Sequence, residues 1–482
     1  MMEVIPVNKE ENRMFTQRLA EFVVNTDTRD IPAEVLDRSR HAIVDTLGCA
    51  LAGTLEPVAG LAAQWLDEIG ARPRATVWGG ALKTSPAEAA FANGVASHAL
   101  DFDDSLLSMR GHPSNTIAPA ALTVGEVARS SGSSVLAAYA LGLEVAGKIG
   151  RALGQGHYLR GWHATATVGV FSAATAAARL WGLNAGQVRV AWGIAASQVS
   201  GLLRNFGTMT KPFHAGHAAR NGVLAAWMAS RGFTSDTSIF DGKDGFFFTY
   251  GGEDGERMDD LVAKLGRPWE ILEPGIYVKR WPCCYGNHRA IGGMLKLIAE
   301  HDIRAEHVEA VEIGFLPGSD AALISTNPQT GLEGKFSIEY VAAAVLLDGK
   351  LTLETFTDPM VQRPPVRELM TRVRRCRIEA SGTYSGILGY TDVAIATTRG
   401  RFETRVEHTP GSPASPMTDA DRVEKFMDCA GRVLGAQGAR QLLDLLQACA
   451  TIPDISVLVK ATIPAAGVAP TAHRSDAGAL TT

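Results

Sequence analysis

The segments "NHRAIGGMLKLIAEHD" and "HVEAVEIGF" (residues 287–302 and 307–315) decide the fold, because the texture of the chain changes across them. In the first, Ile291, Met294, Leu295 and Ile298 recur at helical spacing. In the second, Val308, Val311, Ile313 and Phe315 are interleaved with Glu309 and Glu312, the pattern of a strand rich in β-branched residues. No strong β-run precedes this one. The architecture therefore turns on where the helical texture stops, which is near residue 270.

Upstream, residues 14–270 carry one helical signal after another. "DIPAEVLDRSRHAIVDTLGCALAG" has Asp30 as cap, Pro32 in the first turn and Gly53 at its end. In "TSPAEAAFANGVASHAL", Ser85 caps, Pro86 takes the first helical position and Glu88 completes a capping box. "GWHATATVGVFSAATAAARLWGL" stops at Gly182, and Asn184 with Gln187 opens the next helix. These segments are rich in Ala and Gly, which suits close helix–helix contact.

Downstream, "RVRRCRIEA" and the pair "DVAIATT" and "RFETRVEH" read as strands, the last two a hairpin turning near Arg399–Gly400. "SIEYVAAAVLLDG" between them is helical, as are two segments after Thr418. The expected fold is mainly α: a large all-helical domain with an inserted smaller α+β lid containing an antiparallel sheet. Its expected parts are 1–270, the lid 271–415, the helical return 416–458, and a small, polar tail 459–482 without fixed structure.

The 482 residues are 46% hydrophobic and 20% charged, enough apolar material for a large core. A net charge of -5 argues against a nucleic-acid partner. No run of about 18 apolar residues appears, so no membrane span is expected. The start, "MMEVIPVNKEENRMF", lacks an apolar core behind a basic end, so no export signal is expected. Six cysteines, of which only Cys283 and Cys284 are close in sequence, fit a reduced, cytoplasmic protein.

Five groups carry chemistry. "HALDFDDSLLSMRGHPSNTIAPA" (98–120) packs Asp101, Asp103, Asp104, Ser105, Arg110 and His112 into one loop; an aspartate there can orient a histidine acting as acid or base. "RGWHATATVG" places His163 at the start of an apolar helix. "GTMTKPFHAGHAARNG" holds Lys211, a candidate carboxylate clamp, with His214 and His217 one turn apart but no acidic third ligand, so no metal is expected. "VKRWPCCYGNHRAIGG" (278–293) sets Lys279 and Arg280, candidate anion donors, before Cys283, Cys284 and His288. Tyr340 follows Lys335 and Ser337 on a mostly apolar helix, where its hydroxyl is either core or a proton donor to a cleft. Cations, several proton carriers and the lack of a nucleotide or metal motif point to metal-free proton chemistry on a small polycarboxylate.

The blocks "FANGVASHALDFDD", "GHPSNTIAPA", "GWHATATVG", "GTMTKPFHAGHAARNG", "KRWPCCYGNHRA" and "KFSIEYVAAAVLLDG" resemble, in order and spacing, those of the MmgE/PrpD family, which comprises 2-methylcitrate dehydratase, cis-aconitate decarboxylase and iminodisuccinate epimerase. The resemblance covers the chain to about residue 455. It implies a cytoplasmic homodimer with no metal or organic cofactor, and a small polycarboxylate as substrate. Carried over from the decarboxylase branch, Asp101, His112, His163, Lys211 and Tyr340 are catalytic; Ser105 stands where that branch has threonine, and Lys279 matches directly. Cys284 stands where that branch has a histidine, and His288 is the nearest substitute. With Arg280, these complete the substrate-binding set. The expected activity is that of a hydro-lyase on a 2-methylcitrate-like acid. An iminodisuccinate-type epimerase, a decarboxylase, and a non-catalytic carboxylate-binding member are the alternatives.

Overall fold

Runs of small and apolar residues make residues 14–277 mainly helical. The computed structural model describes residues 14–466 except 383 and 385. The described chain forms two compact units, one of residues 14–277 and 422–466, the other Val278–Asp421.

In the larger unit the site is built from α1 (Ala33–Gly53), α2 (Pro86–His98), α3 (Ser114–Ala128), α4 (Gly132–Leu153), α5 (Gly169–Leu180) and α6 (Thr210–Ser230). One apolar core joins them, with Leu47, Ile117, Tyr139, Phe171 and Val223 among its buried residues. Helix α2 packs on α6 at two glycines. A Cβ on Gly94 would lie 2.8 Å from the Gly216 Cα, and one on Gly216 would lie 2.4 Å from the Phe91 carbonyl oxygen. Only glycine lets these backbones approach so closely.

Two helix starts differ from expectation. Asp30 lies in a short 3-10 turn, and α1 starts after Pro32, which makes no side-chain cap. Ser85 occupies the cap of α2 without a side-chain hydrogen bond, and Glu88 bonds Arg220 at 2.7 Å instead of closing the box. A carboxylate gains more from a guanidinium than from a backbone amide. The Asn184–Gln187 capping box forms as expected.

In Val278–Asp421, α7 (His288–His301) and α8 (Ile338–Asp348) accompany β1 (Val308–Phe315), β2 (Val373–Arg377), β3 (Thr391–Thr397) and β4 (Gly400–Val406). The sheet order is β2-β1-β3-β4. The hairpin β3–β4 is antiparallel, as is β1–β3, but β1 and β2 run parallel, so the expected antiparallel sheet is a mixed one. The segment between β1 and β2 contains α8 and is a crossover long enough to return the chain in the same direction. This unit has its own core, including Ile291, Met294, Val311, Tyr340 and Val345.

Helix α9 (Asp419–Gln447) carries the chain back, kinked at Gly435, where φ is 68°. The tail expected to lack structure starts as packed chain: Val459 and Thr462 are buried, and the Gly79 amide donates to the Thr462 carbonyl at 3.1 Å. From 467 it lies outside the described residues. Among the described residues no single helix is long and apolar enough to cross a membrane.

Candidate active site

The close α2–α6 approach brings the end of α2, at His98, to the start of α6, which carries Lys211 and His214. The loop after His98 folds back on this point. Asp101 adopts φ 52°, a left-handed conformation that aspartate tolerates better than most residues. Ser105–Leu106 pairs antiparallel with Ile276–Tyr277, and the Leu106 amide donates to the Gly111 carbonyl at 2.9 Å. A Cβ on Gly111 would lie 2.8 Å from the Thr165 nitrogen. The glycine therefore lets His112 sit against the segment after His163, where the His112 amide donates to Thr165 Oγ1 at 2.9 Å.

Four imidazoles gather here. Ring centroids are 4.6 Å apart for His98 and His112, 6.2 Å for His98 and His163, and 5.3 Å for His163 and His214. His98 and His163 are 1% exposed and His214 5%. Phe206 lies 4.8 Å from the His163 ring, and Lys211 Nζ lies 5.1 Å over the same phenyl ring. Lys211 pairs with Asp101.

The carboxylate behind the histidines is Asp103 rather than Asp101. Fully buried, it accepts from His98 Nδ1 at 2.8 Å and from Asn115 Nδ2 at 2.7 Å, and its second oxygen is 3.4 Å from His112 Nδ1. His112 Nδ1 donates to the Asp104 carbonyl at 2.7 Å. Carboxylate and carbonyl oxygens accept here, so both rings carry hydrogen on Nδ1. Ser105 Oγ is 3.4 Å from His112 Nδ1. His163 differs: its Nδ1 is 3.0 Å from the His214 Nδ1. The Nε2 atoms of His98 and His163 are buried and have no hydrogen-bond partner among the described residues.

Burial sets the charge states. It lowers the His98 pKa despite Asp103, and lowers that of His163 well below the usual value, with Lys211 adding to the effect. His214 falls to about 4 by burial, helped by His98, His217 and Lys211. Asp104 goes the other way. Burial raises its pKa to about 8, with Ser114 opposing, so it is mostly neutral at pH 7. Its carboxyl accepts from Ser114 Oγ, which is itself bonded to the Tyr139 hydroxyl.

His98, Asp103 and His112 offer ligand atoms within 4.8 Å of one another, a spacing a metal ion could use. The Nδ1 atoms are already bonded to oxygens, so the trio is complete as a proton network. His214 and His217 do not form a pair: His217 Nε2 bonds Asn221 Nδ2 at 2.8 Å.

The larger unit thus assembles Asp101, Ser105, His112, His163 and Lys211 in one cluster. The other candidates lie in Val278–Asp421. Lys279 is 1% exposed. Arg280 pairs with Asp421 at 2.9 Å. Cys284 is buried, its amide donating to the Lys335 carbonyl at 3.0 Å. His288 stacks on Tyr285, with centroids 4.7 Å apart. Tyr340 is fully buried, its hydroxyl donating to the Thr355 carbonyl, and burial raises its pKa. Sequence reasoning did not single out His98, Asn115 or the His163–His214 pair. His98 ends a well-signalled helix three residues before Asp101, which was the available clue.

The MmgE/PrpD N-terminal domain model matches residues 17–257, and the MmgE/PrpD C-terminal domain model matches 281–450. Cis-aconitate decarboxylase of Homo sapiens is 27% identical over 468 residues, covering 92% of this chain and 94% of the relative. The enzyme of that name from Mus musculus is 27% identical over 460 residues, covering 92% of each. The one from Aspergillus terreus is 27% identical over 474 residues, covering 92% and 95%. With both domain models matched in order over most of its length, the chain belongs to the MmgE/PrpD family.

Proposed function

We propose that this chain is a lyase acting on a small polycarboxylate by general acid–base chemistry. The observation that carries this reading is the buried cluster of His98, Asp103, His112 and His163 beside the Lys211–Asp101 pair. Binding alone needs cations. Orphaned imidazole nitrogens next to a buried ammonium are what proton transfer beside a carboxylate needs.

In this reading Lys211, held by Asp101, takes a substrate carboxylate and offsets the charge that develops next to it. His112 Nε2 accepts or returns the proton, and Asp103 stabilises the imidazolium that forms. Two lyase outcomes share these parts. In decarboxylation, a carboxylate leaves as CO2, its bonding electrons enter the carbon skeleton, and a histidine delivers a proton to carbon. In dehydration, His112 removes a proton beside a carboxylate, and hydroxide leaves with a proton from a second group. The relatives' names favour the first, on a cis-aconitate-like acid. Cys284, in place of that branch's histidine, favours the second, on a 2-methylcitrate-like acid.

The roles of Val278–Asp421 as a lid, and of Lys279, Arg280, Cys284, His288 and Tyr340 toward substrate, are carried over from the family within this proposal. So are homodimeric assembly and a cytoplasmic location.

The test incubates the purified chain in heavy water with cis-aconitate, 2-methylcitrate and iminodisuccinate, reading CO2, alkene absorbance and deuterium uptake. CO2 release supports the decarboxylase and alkene formation the dehydratase. Deuterium uptake at unchanged composition assigns an epimerase instead. No turnover and no exchange with any acid leaves a carboxylate-binding protein and overturns the lyase reading.

A further inference from the structure

We infer that His214 is a positioning and relay residue for His163, making His163 a proton donor that never needs to become an imidazolium. This rests on the acid–base reading above. The family resemblance transfers no role to His214.

The geometry sets the two histidine types apart. His98 and His112 face oxygens through Nδ1, so each is held in one tautomer. His163 faces another nitrogen, the Nδ1 of His214 at 3.0 Å. The hydrogen between two neutral imidazoles can belong to either ring, provided the hydrogen on each Nε2 changes with it, and neither ring has to move. When His214 donates it, His163 carries its own hydrogen on Nε2, the buried nitrogen without a partner among the described residues.

That hydrogen can leave for a substrate atom while the shared one shifts from His214 Nδ1 to His163 Nδ1. In the same movement a water gives a proton to His214 Nε2 and is left as hydroxide, so no imidazolate forms. One proton enters at His214 and one leaves at His163, and both rings are neutral before and after. The reverse sequence lets His163 accept a proton. His214 is the more exposed of the pair, at 5% against 1%, so the entry point lies on the outer side.

The surroundings favour a neutral relay. Lys211, His98 and His112 face His163, and Lys211, His98 and His217 face His214; all discourage a positive charge on either ring. The arrangement is held from two sides. The His163 amide donates to the Gly201 carbonyl at 3.0 Å, and Gly201, at φ 113°, is the residue whose Cβ would lie 2.6 Å from Ala166 Cβ and 3.5 Å from the His214 ring.

The test uses the full chain with 15N-labelled histidine and the variants His214→Asn and His214→Phe. In the wild type the His163 ring nitrogens are expected to give shifts midway between bare and protonated. In His214→Asn, whose amide can donate to His163 Nδ1 but cannot relay, His163 should settle as the Nε2–H form. On the substrate turned over, kcat should fall about tenfold or more with KM within about threefold, and the solvent isotope effect should rise. His214→Phe should lose at least as much. A single His163 tautomer in the wild type overturns the proposal, as does full activity with an unchanged pH profile in His214→Asn, which would mark a structural partner. The tautomer measurement needs no substrate, so it reads the relay even if the lyase assay fails. If His214→Phe does not fold, His214→Asn carries the test.

Discussion

Replacing His163 or Lys211 by alanine removes a buried proton carrier or the ammonium paired with Asp101. Each is expected to lower kcat/KM at least about 100-fold, since acid–base and electrostatic groups contribute on that scale. Turnover within about fivefold of wild type would remove the residue from the mechanism. Asp103→Asn is expected to lower kcat about 100-fold while sparing KM, because an amide can turn its NH2 toward His98 or His112 and disturb the tautomers that leave Nε2 bare. Tyr340→Phe separates catalysis from packing. The hydroxyl donates to the buried Thr355 carbonyl, so its loss should cost about 1–3 kcal/mol of stability with kcat nearly unchanged. A large kcat loss at intact stability would instead make Tyr340 a proton donor. Three carboxylates in DFDD look alike in sequence, because a loop has no periodicity to say which one turns inward. The choice of Asp103 over Asp101 was therefore not legible.

At the scale of elements, the loop between α2 and α3 is held from behind by α9. Lys425 Nζ donates to the Phe102 carbonyl at 2.8 Å, pairs with Asp45 at 2.6 Å and lies 3.9 Å over the Phe102 ring. A helix more than 300 residues away in sequence, |i−j| = 323, thus fixes the backbone between Asp101 and Asp103. Lys425→Met would leave Asp45 without its ammonium, and breaking such a buried pair typically costs about 3–5 kcal/mol. Denaturant melts should register that loss, and activity should fall further than stability alone explains; a change below about 1 kcal/mol would mean the pair holds nothing. Helix and strand identities were legible because their signals are local: apolar spacing, the Asn184–Gln187 box, the β3–β4 hairpin. Glu88 misled for the complementary reason. Its local spacing fits a cap, but its partner Arg220 arrives from α6.

For the whole molecule, the buried titrating groups shape stability in opposite directions. Burial holds the folded Asp104 carboxyl at about 8, above its ordinary value of 3.8. Its contribution is complete at low pH and is lost as pH rises toward 8. His98, His163 and His214 are lowered from 6.5, so theirs is present above 6.5 and is lost as pH falls, toward about 4 for His214. Thermal melts from pH 5 to 9 should therefore decline on both sides of an optimum. Asp104→Asn should flatten the decline above the optimum and steepen the one below it, because between 3.8 and about 8 the raised Asp104 pKa opposes the histidines; an unaltered alkaline limb would show that Asp104 is ionised when folded.

A mainly helical chain with a later α+β region, six family blocks and a set of candidate proton carriers and cations were all legible before any folding was considered. Each of these is written in short-range patterns or in residue type. Which carboxylate backs the histidines, that His163 faces His214, and that β1 and β2 run parallel emerged from the packed chain. Those depend on contacts between residues far apart in the chain, where burial and hydrogen-bond geometry, rather than spacing, select the partner.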